Sequence, residues 1–474
     1  MLVIMQISKL VRSKGENSQT FFNFLSTAIT SGIAFVTMPI FTRLLGAEQY
    51  GLYAIYHSWL TIFTCFIGVN VFSSLGTGHL KYKDRYLKFR SSILLEGTLL
   101  GIAACLFFAC IYPILRPAFR YSYFMFATLL LHALASFVTG FSNTAWVYEK
   151  RAARNMVVSS TLLISTSVLS ILLLLNWKYQ TPLFYGRVIG LALPHVIIAL
   201  VIWVVLFREG PSGYNNEYWR YGLHFGMPMV FHLLSHQVLG QSDRLMMQWF
   251  SVSNSEIGIY SFFYSFVAIL TTILNALNTS WTPFLYDDLA KKNYDVLNKK
   301  VKNYVQIFTV MCLGFLLLSR EVMKLFANSE YWPGAPIVPI LVVVVYCTFF
   351  YQFAVNYEFF KEKPKFVAMG TVFAAISNII LNAIMIPKWG MYGAAVATLI
   401  SYAMLAVMHT TIVKTWKLKR YPLSFSPVIT GLVIVIVGCA GYYALSDYVW
   451  IRWILAVLVG AYLIFNVYRR KTIF

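Results

Sequence analysis

The chain has 474 residues, of which 59% are apolar and only 12% are charged. Soluble domains carry about 25% charged residues, so this composition excludes an ordinary soluble protein and indicates one that lies in lipid. A formal charge of +21 would indicate nucleic-acid binding in a soluble protein. Here we expect no nucleic-acid partner, because most of the basic residues lie between long apolar runs.

Apolar runs long enough to cross a bilayer recur along the whole chain. A spanning helix needs roughly 20 apolar residues, and the segments between the runs are too short for a soluble domain. We therefore predict an all-α integral membrane protein with about 14 transmembrane helices. The runs are 20–42, 50–72, 91–113, 120–143, 155–175, 183–207, 222–248, 257–281, 303–326, 334–357, 366–386, 390–413, 425–445 and 449–468.

The basic residues between these runs predict the orientation. If both termini are cytoplasmic, most Lys and Arg residues lie on the inner side, as the positive-inside rule requires. The first helix would then act as an uncleaved insertion signal. The six cysteines fall inside apolar runs without a CxxC pair, so we expect no cofactor and no metal site.

Two short segments indicate an internal repeat. "EQYGLYAIYHSW", from Glu48, matches "SEIGIYSFFYSF", from Ser255, and six predicted helices separate the two. An even number of helices keeps the orientation, so the repeat predicts two parallel halves related by a pseudo-two-fold axis along the membrane normal. The predicted domains are a six-helix bundle over 1–210, a second over 211–415, and two additional helices over 416–474.

Three motifs resemble one family. "TRLLGAEQYGLY" from Thr42, "SDRLMMQWFSVSNSEIGIY" at 242–260 and "ISNIILNAIMIPKWGMYGAAVATLISY" at 376–402 are similar to the polysaccharide biosynthesis flippases. These are the Wzx-type O-antigen and exopolysaccharide exporters of the multidrug/oligosaccharidyl-lipid/polysaccharide superfamily. The third motif is the most specific, because its order and spacing both match.

The resemblance implies a function and a place in the cell. It implies a flippase, not an enzyme, in the bacterial inner membrane. The flippase would move undecaprenyl-pyrophosphate-linked oligosaccharide from the cytoplasmic to the outer leaflet by alternating access, with other polysaccharide assembly proteins as further partners. Two alternatives stay open: a multidrug or cation exporter of the same superfamily, and a membrane polymerase or glycosyltransferase of the same pathway. The short outer loops disfavour the second alternative.

A pyrophosphate head group that crosses lipid favours arginine, whose guanidinium matches phosphate oxygens and stays charged. The candidates are Arg187 and Arg244, within predicted helices, and Arg43, at the end of the first helix. Snorkelling is the alternative for Arg187, and pairing with the adjacent Asp243 is the alternative for Arg244.

Predicted helix 7 (residues 222–248) is the most polar of the fourteen. His232, His236, Gly240 and Asp243 fall on one helix face, and a polar stripe in a membrane helix should face a cavity or another helix. The two histidines are predicted to line the lumen and to exchange protons, with plain helix packing as the alternative.

Several neutral polar residues complete the candidate set. Asn70, Asn275 and Asn278 are candidates for hydrogen bonds to sugar hydroxyls. His132 and His195 are each expected to be satisfied within the helix bundle.

The resemblance also implies a coupling-ion site. In the related lipid II flippases, residues on helices 7, 11 and 12 form a sodium site, which points here to Asp243, Asn378, Asn382 and Thr398. Helix 11 offers amides where a stronger site would have a carboxylate, so H⁺ and Na⁺ both stay open as coupling ions. Interhelical hydrogen bonding by the asparagines is the alternative.

Overall fold

A computed structural model describes residues 16–416 and 421–470, and every regular element in that part of the chain is helical. Ten stretches of it are long and apolar enough to cross a membrane by length and composition. The predicted all-α membrane fold is therefore confirmed. The α-helices, numbered in chain order, are α1 (Glu16–Phe66), α2 (Leu75–Tyr82), α3 (Tyr86–Phe119), α4 (Tyr123–Tyr148), α5 (Ala152–Leu175), α6 (Phe184–Arg208), α7 (Asn216–Trp249), α8 (Asn254–Ala290), α9 (Tyr294–Phe326), α10 (Val338–Phe360), α11 (Pro364–Thr411), α12 (Ser426–Ala444) and α13 (Val449–Arg470).

Two long helices each cover most of two predicted runs, and a single glycine breaks each helix near the junction of the runs. Gly46 breaks α1 with φ 67° and ψ 174°, and Gly390 breaks α11 with φ 52° and ψ −128°. Glycine adopts positive φ without the steric cost that a Cβ atom brings. The predicted break near residue 46 is therefore one residue long, and Gly51 continues the helix.

The predicted run 50–72 is wrong at its end, because the α-helix stops at Phe66. A 3₁₀ segment follows over Ile67–Ser74, with positive φ at Gly68, Val69 and Asn70. A Cβ atom at Gly68 would lie 2.3 Å from the ring of Phe137 on α4. Apolarity predicts that a segment is buried in lipid or protein, but it does not predict this 3₁₀ backbone, in which the close approach of α4 leaves no room for a side chain at Gly68.

The chain divides into two compact units, residues 1–241 and 242–474, and the boundary falls inside α7. These predictions stay untested: the domains 1–210, 211–415 and 416–474, the pseudo-two-fold axis, and the orientation in the membrane.

Helix α7 is not among the ten membrane-spanning candidates within the described ranges. Its His, Gln and Asp residues lower its hydropathy.

In the first unit, a buried ion-pair cluster joins the ends of three helices. Arg90 on α3 is fully buried and lies 2.7 Å from Glu149, after α4, and 3.1 Å from Glu209, after α6. Arg151 and Arg154 also donate to Glu209. Burial raises the pKa of Glu209, but the hydrogen bonds from Arg154 and Arg151 outweigh it and lower the pKa to about 2.

In the second unit, α12 and α13 pack on α9. Arg452 on α13 is buried and forms a bidentate pair with Glu321 on α9, with nitrogen–oxygen distances of 2.5 and 3.2 Å. Tyr346 on α10 hydrogen-bonds to Thr309 on α9 at 3.0 Å. Near the break in α11, Glu256 on α8 accepts the backbone N–H of Met391 at 2.7 Å, which satisfies a donor of the second helical half.

Candidate functional site

The first unit encloses a cavity of about 640 Å³, a volume typical of small-molecule sites. Helices α1 and α4 to α7 and the 3₁₀ segment line it. Its described lining contains one arginine, three histidines, two side-chain amides and several hydroxyls, but no Asp or Glu. The polar lining residues are Thr30, Tyr53, His57, Thr61, Thr64, Asn70, His132, Ser136, Ser159, Thr166, Arg187, His195 and Gln237.

Arg187 supplies the positive charge of this cavity. Its Cζ lies 3.5 Å from the centroid of the Phe41 ring and 5.3 Å from that of Tyr53, both on α1. Its Nε and Nη1 are buried and have no hydrogen-bond partner among the described residues. A buried unpaired donor costs about 1–3 kcal/mol, so these N–H groups favour an acceptor in the cavity. The aromatic rings orient the guanidinium without neutralising it.

Asn70 also lines the cavity, as predicted for a sugar-binding residue. It is 4% exposed, and its Oδ1 lacks a hydrogen-bond partner in the described part of the chain. Its φ of 51° belongs to the 3₁₀ segment. Asparagine tolerates this left-handed conformation better than most residues.

Three further polar side chains form a buried chain that ends at the cavity. Tyr56 OH on α1 lies 3.1 Å from Nδ1 of His132 on α4. Nε2 of His132 lies 3.3 Å from Nδ1 of His195 on α6. Both histidines were expected to be satisfied bundle residues, but sequence reasoning missed that they bond to each other. The only signal for His195 was the preceding Pro194.

Other predicted substrate residues lie elsewhere. Arg43 is exposed on α1 and is not part of the described cavity lining. On α7 the lining residues are Leu233 and Gln237 rather than His232 or His236. The lumen-lining prediction for the two histidines therefore has no support from this cavity.

The candidates of the second unit are also dispersed. Asn275 is exposed on α8. Asn278, one turn further along, accepts a hydrogen bond from Asn356 at 2.9 Å. Arg244 is 5% exposed, and its guanidinium lies 4.4 Å from the ring centroid of Tyr264 and 5.4 Å from that of Tyr260.

The four predicted ion-site residues come together in the second unit, and all four are fully buried. Asp243 on α7 accepts from Asn382 at 2.7 Å and from Thr398 at 3.0 Å, both on α11. Asn382 also donates to Asn378 at 2.9 Å. The two asparagines precede the break at Gly390 and Thr398 follows it, so the broken helix contributes both of its halves.

Two residues that sequence reasoning missed join this cluster. Tyr260 on α8 donates to Asp243 Oδ2 at 2.5 Å, and Ser242 donates to Asn378 at 2.8 Å. Asn382 Oδ1 is buried and lacks a partner among the described residues. The cluster therefore holds one carboxylate, several neutral oxygens and one unsatisfied oxygen, a donor set that suits a hard cation or a proton.

Comparisons with known proteins place this fold in a family. The polysaccharide biosynthesis protein family matches residues 18–287. The Lsg locus putative protein 1 of Haemophilus influenzae is 21% identical over 366 residues, covering 73% of this chain and 84% of that protein. The probable low-salt glycan biosynthesis flippase Agl15 of Haloferax volcanii is 22% identical over 191 residues, covering 38% of this chain and 40% of that protein.

A solved structure shares the fold. The lipid II flippase MurJ in an inward closed conformation superposes with a TM-score of 0.66 at 16% identity, covering 93% of this chain and 99% of that one. The family match covers more than half of the chain and agrees with the family that the three motifs predict. The chain is a multi-pass membrane protein of the polysaccharide biosynthesis protein family.

Proposed function

We propose that this protein is a flippase for lipid-linked glycans. Its substrate would be an undecaprenyl-pyrophosphate-linked oligosaccharide, moved from the cytoplasmic to the outer leaflet of a bacterial inner membrane with both termini of the chain in the cytoplasm. The family match supports a role in polysaccharide biosynthesis. The flippase names of Agl15 and MurJ support translocation rather than catalysis.

The observation that carries the proposal is the charge of the first-unit cavity. Arg187 has unpaired buried N–H groups there, and the described lining lacks Asp and Glu. Pyrophosphate oxygens would satisfy those donors with charge-assisted hydrogen bonds. Asn70 and the lining hydroxyls are neutral partners suited to the sugars, while the polyprenyl tail stays in lipid.

The same charge argues against the main alternative. A cation or drug exporter needs acidic groups that replace water around a positively charged substrate. In this cavity a cationic substrate would meet Arg187 without a compensating carboxylate in the described lining. A membrane polymerase or glycosyltransferase is the weaker alternative, because the family and the fold match those of transport proteins.

The Asp243 cluster is our proposed coupling site. Asp243, Asn378, Asn382 and Thr398 would hold Na⁺, or Asp243 would hold a proton, and the bound ion would neutralise the buried carboxylate. A ligand shifts a conformational equilibrium only through unequal affinity for the two states. Thr398 lies beyond the break at Gly390 from the two asparagines, so a movement at that glycine would change the ion affinity.

The function is tested by reconstitution into proteoliposomes with lipid-linked oligosaccharide, with exposure of the head group as the readout. We expect Arg187→Gln to slow translocation by about tenfold or more, the effect of losing one charge-assisted contact, and Arg187→Lys to retain part of the rate. Thr128→Val is the control, because Thr128 lies on α4 outside the described cavity lining and bonds to its own helix through Phe124.

Two results would contradict the proposal. Undiminished translocation in Arg187→Gln would remove the cationic cavity from the mechanism. Transport of a cationic dye by a protein that moves no lipid-linked sugar would replace the flippase with an exporter.

A further inference from the structure

The hydrogen-bonded chain of Tyr56, His132 and His195 joins three helices of the first unit. Tyr56 is fully buried and His132 is 2% exposed, whereas His195 is half-buried at the wall of the cavity. The two contacts use Nδ1 and Nε2 of His132 and Nδ1 of His195. Nε2 of His195 is thus the remaining nitrogen, and no described residue bonds to it.

The buried end fixes the direction of the hydrogen bonds. Tyr56 OH has His132 Nδ1 as its hydrogen-bond partner among the described residues. If the hydroxyl accepted from His132, its own proton would lie buried without an acceptor, at a cost of about 1–3 kcal/mol. The hydroxyl therefore donates to Nδ1 of His132.

The direction of this hydrogen bond then determines which nitrogen carries the proton in each of the two imidazoles. A neutral imidazole carries one N–H and one acceptor nitrogen. Because Nδ1 of His132 accepts, its Nε2 carries the proton and donates to Nδ1 of His195. By the same rule, Nε2 of His195 carries a proton and is a donor at the cavity.

We propose that Tyr56 and His132 are positioning residues that hold His195 as its Nε2–H tautomer, and that this N–H binds a phosphate oxygen of the substrate beside Arg187. The proposal rests on the flippase function and adds a second donor to the head-group site. In this tautomer Nδ1 of His195 already accepts a hydrogen bond, so His195 can only donate to a ligand. The ligand is therefore an anion rich in hydrogen-bond acceptors.

The groups around the hydrogen-bonded residues Tyr56, His132 and His195 are consistent with a neutral His195 donor. The other titratable or charged cavity-lining groups in the described part of the chain are His57, Tyr53, Cys65 and Arg187. None is a carboxylate that would stabilise an imidazolium. Protonating His195 would place a proton on its Nδ1. That proton would face the N–H of His132 and would break the hydrogen bond between the two imidazoles.

The tautomer is measured directly by ¹⁵N NMR of histidine-labelled protein in nanodiscs. The chain has eight histidines, so the His195→Gln spectrum assigns the His195 signals by difference. We expect an Nε2–H, Nδ1-unprotonated His195 in the wild type, and a mixture of tautomers in Tyr56→Phe. A wild-type His195 with its proton on Nδ1, or on both nitrogens, would overturn the proposed positioning by Tyr56 and His132. This result stands even if Tyr56→Phe fails to fold.

Binding of farnesyl pyrophosphate tests the ligand. We expect His195→Leu to weaken binding about tenfold, the loss of one hydrogen bond to a charged group, and His195→Gln to recover part of it through its amide N–H. Thr128→Val, on α4 and outside the described cavity lining, should bind like the wild type.

The two proposals fail in different ways. Wild-type protein that does not bind farnesyl pyrophosphate contradicts the flippase site itself. Wild-type binding that His195→Leu leaves unchanged contradicts only the donor role of His195.

Discussion

Asn382 donates its amide N–H to the carboxylate of Asp243 across 2.7 Å, although 139 residues separate them in the chain. Tyr260 and Thr398 donate to the same carboxylate. Asp243 is thereby a buried carboxyl group held by neutral donors. A cation bound there would offset part of the cost of burying an ionised carboxylate.

If Na⁺ is the coupling ion, sodium will stabilise the wild type through Asp243. A ligand at 100 times its Kd stabilises by about 2.7 kcal/mol, so sodium should raise Tm by several degrees over choline. We expect Asp243→Asn to abolish that rise, as measured by thermal unfolding in detergent. Asp447→Asn, at an exposed position, is the control. An equal sodium effect in Asp243→Asn would exclude this cluster as the sodium site.

A second prediction concerns the fully buried pair of Glu358 on α10 and His409 on α11, whose Oε1 and Nδ1 lie 2.9 Å apart. Glu358→Met leaves the buried imidazole without its carboxylate partner, and His409→Leu leaves a buried acceptor unpaired. We expect each change to lower the free energy of unfolding by about 1–3 kcal/mol.

The double variant Glu358→Met/His409→Leu should lose less than the sum of the two single changes, because no polar group is then left unpaired. A denaturant series on all three variants measures the coupling. Glu362→Gln, at an exposed position just after α10, should be neutral. Strictly additive losses would mean that the two residues act independently.

A third prediction concerns the glycine that breaks α11. A Cβ atom at Gly390 would lie 2.1 Å from Glu256 Oε1, and its φ of +52° disfavours any L side chain. Glu256 also accepts the N–H of Met391. We expect Gly390→Ala to cost about 1–2 kcal/mol from the backbone alone and more from the displaced carboxylate.

Gly441→Ala provides the matched control for that change, because nothing lies within 4 Å of a Cβ atom there. In a helix interior, alanine is favoured over glycine, so this variant should be neutral or slightly more stable. Thermal unfolding of the two variants compares them. Equal Tm values would show that the break tolerates a side chain.

A fourth prediction concerns pH and the ion-pair cluster at Glu209. Its folded pKa is lowered to about 2 from an ordinary value of 4.5. The stabilisation is therefore fully present above the unfolded pKa and is lost as the pH falls from about 4.5 towards 2. Glu209→Gln should lower Tm at pH 7. It should also reduce the fall of Tm that the wild type shows between pH 5 and pH 3. An unchanged acid transition in this variant would assign the acid sensitivity to other groups.

The sequence by itself determined the elements that depend on local composition. Apolar runs require helices in lipid, since the backbone has no water to bond there, and each of the fourteen predicted runs overlaps a described α-helix. The gap between the runs 20–42 and 50–72 predicted a break that the structure has at Gly46. The three motifs predicted the family, and through it the grouping of Asp243 with Asn378, Asn382 and Thr398.

Only the tertiary structure decided which helix faces meet. Lipid-facing and protein-facing side chains are both apolar in a membrane protein, so hydrophobic periodicity cannot tell them apart. Helical spacing therefore related His232 to His236 within α7 but could not relate His132 to His195 on different helices. The 3₁₀ segment at Asn70 likewise packs against α4 at Gly68 and Phe137, a contact between residues distant in the chain.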